Sequence, residues 1–196
     1  DLYFSMARGN ANSVAMEMTK WFNTNYHYIV PELSRDVKFN LDSSKIIAEY
    51  KEAKEAGVLN AKINLIGPIT FLALSKTTDG SNALDHLDAL SSEYVKLIAE
   101  LSKLDNEIII QIDEPIFVTD RAAELASKIV PIYDSLASVA DNVKIIFMTY
   151  FEHANEAVAQ VVKSKIWAIG LDFVHAACQE EALKLLSNKL SKSSLL

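Results

Sequence analysis

This chain carries a single cysteine, Cys178, in 196 residues, so no disulfide can close within it. A lone thiol fits a reducing compartment, and the expected location is the cytoplasm. Glycine and proline are scarce, at five and four, and no Gly-x-Gly-x-x-Gly turn occurs. That absence counts against a dinucleotide-binding fold. Basic residues are outnumbered 19 to 26, leaving a formal net charge of −7. They are also dispersed, which argues against a nucleic-acid surface. Apolar runs fall far short of the ~20 residues that span a membrane. No basic-then-apolar opening marks a secretion signal. No His-Glu-x-x-His or His-x-His spacing appears, so nothing local reads as a metal site.

What is present suits one soluble globular domain over residues 1–196, since 50% of the chain is apolar and 23% charged. Strand-like and helix-like segments alternate, the pattern of parallel α/β architecture. Val37-Lys-Phe-Asn-Leu41 alternates with period two and predicts a short strand or hairpin arm. Asp42 or Ser43 can cap a helix over Lys45–Ala56, and Gly57 stops it. Ile63–Ile66 reads as a compact strand ending at Gly67-Pro68. A leucine stripe from Leu84 to Leu101 predicts a long helix over Ala83–Leu104. Ile108–Ile112 has the β-branched continuity of a strand buried on both sides. Arg121–Ala140 is a predicted helix that Pro131 should kink or break. Val143–Met148, Asn155–Val162, Ile166–Val174 and Gln179–Leu190 then predict strand, helix, strand and helix. The terminal Ser-Lys-Ser-Ser reads as a frayed end.

Chemistry-bearing side chains gather at strand ends. Asp113-Glu114-Pro115 closes one strand, and alternation sends the two carboxylates to opposite faces. Each is either a group facing a site or an acid bonded to loop amides or a neighbouring basic residue. Asp172 and His175 follow the last strand and meet only if the chain turns between them. His27, His86 and His153 are isolated, and His86 is placed on the polar side of a helix. Cys178 lies beside a predicted helix start, which can lower a thiol pKa, or serves as a small packing residue.

The stretch Trp21-Phe-Asn-Thr-Asn-Tyr-His-Tyr-Ile-Val-Pro31 fits no amphipathic period, because four aromatics interleave with two Asn, a Thr and a His. Buried Trp, Tyr and His want polar partners, so the mixture suits a surface that positions a polar ligand or docks a domain. MTKWFNTNYHYIVPEL (18–33), with LYFSMARG (2–9) before it, resembles the N-terminal domain of cobalamin-independent methionine synthase. INLIGPITFLALSK (63–76), IIIQIDEPIFV (108–118), IIFMTYF (145–151) and GLDFVHA (170–176) match that domain in order.

The resemblance implies a (β/α)8 barrel of the TIM type, here incomplete with about five strand–helix units, because a full barrel takes ~250 residues. In the family, a glycine-rich opening segment and further units precede this point, and a longer linker occupies the place of Asn10–Ser13. A fragment is therefore expected. Its unpaired sheet edges would favour self-association. The parent enzyme transfers a methyl group from 5-methyltetrahydrofolate polyglutamate to homocysteine, using zinc held in a C-terminal barrel. No zinc, catalytic residue, nucleic acid or membrane is expected for this chain. The resemblance assigns Lys20, read here as a helix residue, to a carboxylate of the folate tail. Asn23, Asn25, Tyr26 and His27 would line the folate site or the C-terminal barrel interface, or form a hydrogen-bonded loop. Two other readings stay open. One is a non-catalytic barrel module. The other is a hydrolase or lyase in which Asp113, Glu114, Asp172 and His175 converge on one pocket.

Overall fold

The computed structural model of the protein describes residues 2–176 and 180–190. Helix α1 (Leu2–Arg8) leads to an antiparallel hairpin of β1 (Met18–Lys20) and β2 (His27–Ile29). Then come β3 (Glu32–Leu33), α2 (Ser44–Glu55), β4 (Lys62–Ile66), α3 (Pro68–Ala73) and β5 (Lys76–Thr77). A 3-10 turn at Ala83–His86 opens α4 (Leu87–Leu101), followed by β6 (Ile108–Asp113). Past a second 3-10 turn (Pro115–Val118) lie α5 (Ala122–Leu125), a third (Ala126–Lys128) and α6 (Ile129–Ala137). The described chain ends through β7 (Val143–Met148), α7 (Asn155–Val161), β8 (Ala168–Gly170) and α8 (Glu180–Leu190).

The protein is a mixed α/β fold around a parallel sheet of order β4-β6-β7-β8. Parallel neighbours need crossovers, which is why helices separate these strands in the chain. The register aligns Ile66, Asp113, Met148 and Gly170 in one row at the C-terminal edge. Ile63, Ile108, Ile110, Ile112, Val143, Ile145 and Phe147 are buried on one face, in a core with Leu97, Ile98 and Leu101 of α4 and Ile129, Tyr133 and Leu136 of α6. The opposite face carries Lys62, Asn64, Ile109, Asp113, Lys144, Ile146 and Met148, all exposed or half-buried, with only Gln111 among them buried. Burial of β6 is thus nearly complete on its helix side and partial on the other.

Several expectations change. Val37–Leu41 forms no strand: Val37, Phe39 and Leu41 do pack on the core, but the Leu41 amide bonds the Glu93 carboxylate rather than a sheet neighbour. The long predicted helix begins as a 3-10 turn and stops at Leu101. The break in the 121–140 helix precedes Pro131, which sits in the first turn of α6 where its missing amide hydrogen is harmless. The final strand spans three residues, not nine: it begins at Ala168, and the chain bends over 173–176. Gly57 adopts φ +88 directly after α2, the left-handed stop that glycine tolerates best. Lys20 lies on a strand, not a helix, since the 18–29 segment closes as a hairpin. Cys178, Gln179 and residues 191–196 lie outside the described residues.

Candidate functional site

Side chains after the row Ile66–Asp113–Met148–Gly170 converge at the C-terminal edge of the sheet, where parallel α/β proteins place their ligands. Glu114, the first residue beyond β6, turns towards the helices and is fully buried. One carboxylate oxygen, Oε1, accepts the Ile69 amide at 3.2 Å and the Tyr133 hydroxyl at 2.8 Å. The other, Oε2, accepts the Thr70 amide at 2.7 Å and the Thr70 hydroxyl at 2.6 Å. Both amides belong to the first turn of α3, whose unpaired donors favour an anion. Gly67 makes room, because a Cβ there would stand 2.0 Å from the Glu114 carboxyl carbon. Of the two readings of Glu114, the bonded acid is the one observed, with its amides supplied by the start of α3 rather than by a loop.

Burial pushes Glu114 up to about 7, and the bonds from Thr70, Tyr133 and Ile69 oppose that rise. A carboxyl raised on folding contributes stability that is complete below its unfolded pKa and lost as pH climbs through its folded value. The stability margin of the wild type over Glu114→Gln is therefore expected to shrink by about 3 kcal/mol between about pH 4.5 and 7. Urea unfolding of both proteins across that range measures it.

Asp113 faces the other way. The Gln111 side-chain amide donates to its Oδ1 at 2.7 Å, and the Tyr150 hydroxyl to its Oδ2 at 3.3 Å. Lys62 Nζ in turn donates to the Gln111 carbonyl oxygen. A polar ladder thus climbs the less covered face, from Lys62 through Gln111 to Asp113 and Tyr150. Burial, then Asp113, pushes the Tyr150 hydroxyl well up, while a hydrogen bond from Trp21 opposes them. Tyr150 accordingly stays a neutral donor.

Trp21 brings the hairpin onto this edge. Its ring meets Tyr28 edge-on at 5.5 Å and Phe22 at 5.1 Å. Phe22 lies 5.8 Å from Phe151, which meets Tyr150 edge-on at 4.7 Å. Five rings therefore run in contact from the hairpin to the end of β7. Beneath them Trp21, Tyr28, Ile29, Ile66, Phe71 and Leu74 line an apolar cavity of about 200 Å³. The sequence marked the aromatic stretch as a positioning surface but did not identify Tyr150 and Phe151 as its seat. The signal available was their place immediately past a strand end.

Asp172 and His175 do meet, because the chain turns after β8. The His175 ring Nδ1 is 2.7 Å from Asp172 Oδ2, and the amides of His175 and Val174 donate to Oδ1. The Phe151 amide donates to Oδ2 at 3.0 Å. Chiefly the His175 amide, then Val174, the His175 ring and Phe151, hold the Asp172 carboxyl well below its ordinary value. Asp172 is thus committed to shaping the loop. With Glu114 enclosed among the helices, the four groups proposed for hydrolysis do not share a pocket.

Lys20 is exposed, opposite His27 in the hairpin register. Asn23, Asn25 and Tyr26 stand exposed on the turn, with Tyr26 80% accessible. The turn's own bonds run through Thr24, whose hydroxyl donates to the Trp21 carbonyl at 2.7 Å, and through the Trp21 amide to the Tyr26 carbonyl. His86 is not on a polar face. It is half-buried against Phe39, with a buried Nε2 lacking a bond. Among the described residues no three His, Cys, Asp or Glu side chains are grouped to hold a metal ion. No described helix is long and apolar enough to cross a membrane.

Residues 1–196 match the family model described as the N-terminal domain of cobalamin-independent synthase. A 5-methyltetrahydropteroyltriglutamate–homocysteine methyltransferase of Desulforamulus reducens is 52% identical over 189 residues, covering 96% of this chain and 24% of that protein. Proteins of the same description from Corynebacterium glutamicum and Bacillus cereus are 45% and 39% identical, each over 89% of this chain. The chain spans about a quarter of the length of these curated relatives.

Proposed function

Since the chain belongs to the cobalamin-independent synthase N-terminal domain family, we propose that it serves an enzyme that methylates homocysteine from 5-methyltetrahydropteroyltriglutamate. In this reading the chain holds the folate tail and supplies scaffold, while zinc and the reacting thiol sit in a C-terminal barrel of the same polypeptide, in the cytoplasm. The fold would be part of a (β/α)8 barrel. Two features support that: the parallel order of the sheet, and a second face whose Lys62–Gln111–Asp113 ladder is only partly covered. A barrel interior would enclose such a face.

The observation that carries the tail reading is the placement of Lys20. Its strand ends at the aromatic turn seated on the C-terminal edge of the sheet, and its side chain is exposed. A flexible ammonium there can meet a glutamate carboxylate as a point charge. Asn23, Asn25 and Tyr26 on the adjoining turn offer amide and hydroxyl donors to the same tail. An exposed ion pair contributes about 0.2–1 kcal/mol, so Lys20 should modulate affinity rather than create it. In the whole enzyme, Lys20→Ala is expected to raise KM for the triglutamate substrate about 2- to 5-fold and leave KM for the monoglutamate unchanged. Steady-state kinetics with both substrates tests it. Equal KM changes for the two would refute the assignment.

A further inference from the structure

The hairpin is held at two places of different kind. At its base the Glu17 carboxylate pairs with Lys76, and the Val30 amide donates to the Glu17 carbonyl. At its tip the attachment to the sheet runs through the rings of Trp21 and Phe22. Phe22 and Phe151 are also the non-glycine residues at positive φ among the described residues, at 51° and 89°. Side chains rarely accept that backbone, and it persists only where surroundings hold it. For Phe151 the holding groups are visible. Asp172 takes its amide hydrogen at 3.0 Å, and Tyr150, itself bonded to Asp113, packs edge-on against its ring. The two strained residues touch each other, one on each side of the gap between hairpin and sheet.

We propose that the Phe151 ring is a positioning element for Lys20: it seats Phe22, fixes the hairpin tip, and thereby sets the enzyme's preference for a long folate tail. This rests on the tail-binding reading of Lys20. In this role Phe151 acts through the turn that follows Lys20.

The test uses Phe151→Gly in the whole enzyme. Glycine adopts the same backbone freely, so the ring is removed while the course of the chain is kept. Amide hydrogen exchange over residues 18–29 should quicken about 2- to 10-fold, the factor for losing one aromatic pair. The ratio of kcat/KM for triglutamate over monoglutamate should fall about 2- to 5-fold, bounded by what Lys20→Ala itself removes. Phe151→Tyr, which keeps the ring, should restore both readouts. Unchanged exchange over 18–29 would overturn the proposal. So would faster exchange with an unaltered substrate ratio while Lys20→Ala lowers it. If Lys20→Ala itself leaves the ratio untouched, the tail reading fails, and the positioning role falls with it even where exchange has quickened.

Discussion

Glu114→Ala is expected to lower the stability of the protein by about 3–5 kcal/mol, because it strands four buried donors at once. The Ile69 and Thr70 amides cannot turn away, being fixed in the first turn of α3. The Thr70 and Tyr133 hydroxyls can rotate, but both are buried beside the vacated space. Glu114→Gln tests the same point more finely. One carboxylate oxygen becomes an amino group that must face an amide hydrogen, and the longer Ile69 bond is the cheaper one to give up. Its cost should be about 1–3 kcal/mol at about pH 4.5, from one lost bond and one donor facing another, and should close as pH rises to about 7. Urea unfolding monitored by circular dichroism measures both. A loss below about 1 kcal/mol for the alanine variant would mean that water replaces the carboxylate and that Glu114 does not lock β6 to α3.

Gly67→Ala should cost about 3 kcal/mol for a reason unrelated to glycine's backbone freedom. Gly67 has φ −76 and ψ 148, which any residue adopts. The obstacle is space: the new methyl would lie 2.0 Å from the Glu114 carboxyl carbon and 2.2 Å from Oε1. A flexible side chain would swing aside, but this carboxylate is tied by four bonds from two helices. The same measurement on Gly67→Ala, Glu114→Ala and the double variant closes a cycle. In the double variant the clash is gone, so its loss should undercut the sum of the single losses by about 1–3 kcal/mol. Additive losses would show that the two positions do not oppose each other in solution.

Much of this architecture could be read directly from residues. The isoleucine-rich Ile108–Ile112 run and Val143–Met148 specify strands through β-branched bulk, and both formed at those positions. Gly67-Pro68 marks the end of β4 in the sequence, and it is also the start of α3. The opposite orientations of Asp113 and Glu114 follow from alternation alone and are observed. Family membership was legible from ordered motifs spread along most of the chain.

Sequence by itself determined the local periodicities, the parallel α/β class and the direction each strand-end carboxylate faces, because these depend on neighbours within a few residues. Only the tertiary structure decided what those groups meet. Thr70 lies 44 residues from Glu114 and Tyr133 lies 19 away, so no local pattern announces the bonds that hold the acid. Phe22 and Phe151 are remote in sequence yet adjacent in space, and neither strained backbone is encoded by a glycine. The hairpin was illegible for the same reason. Its aromatic residues obey a surface built from the ends of β4, β6 and β7, and packing against that surface overrides any period the segment has of its own.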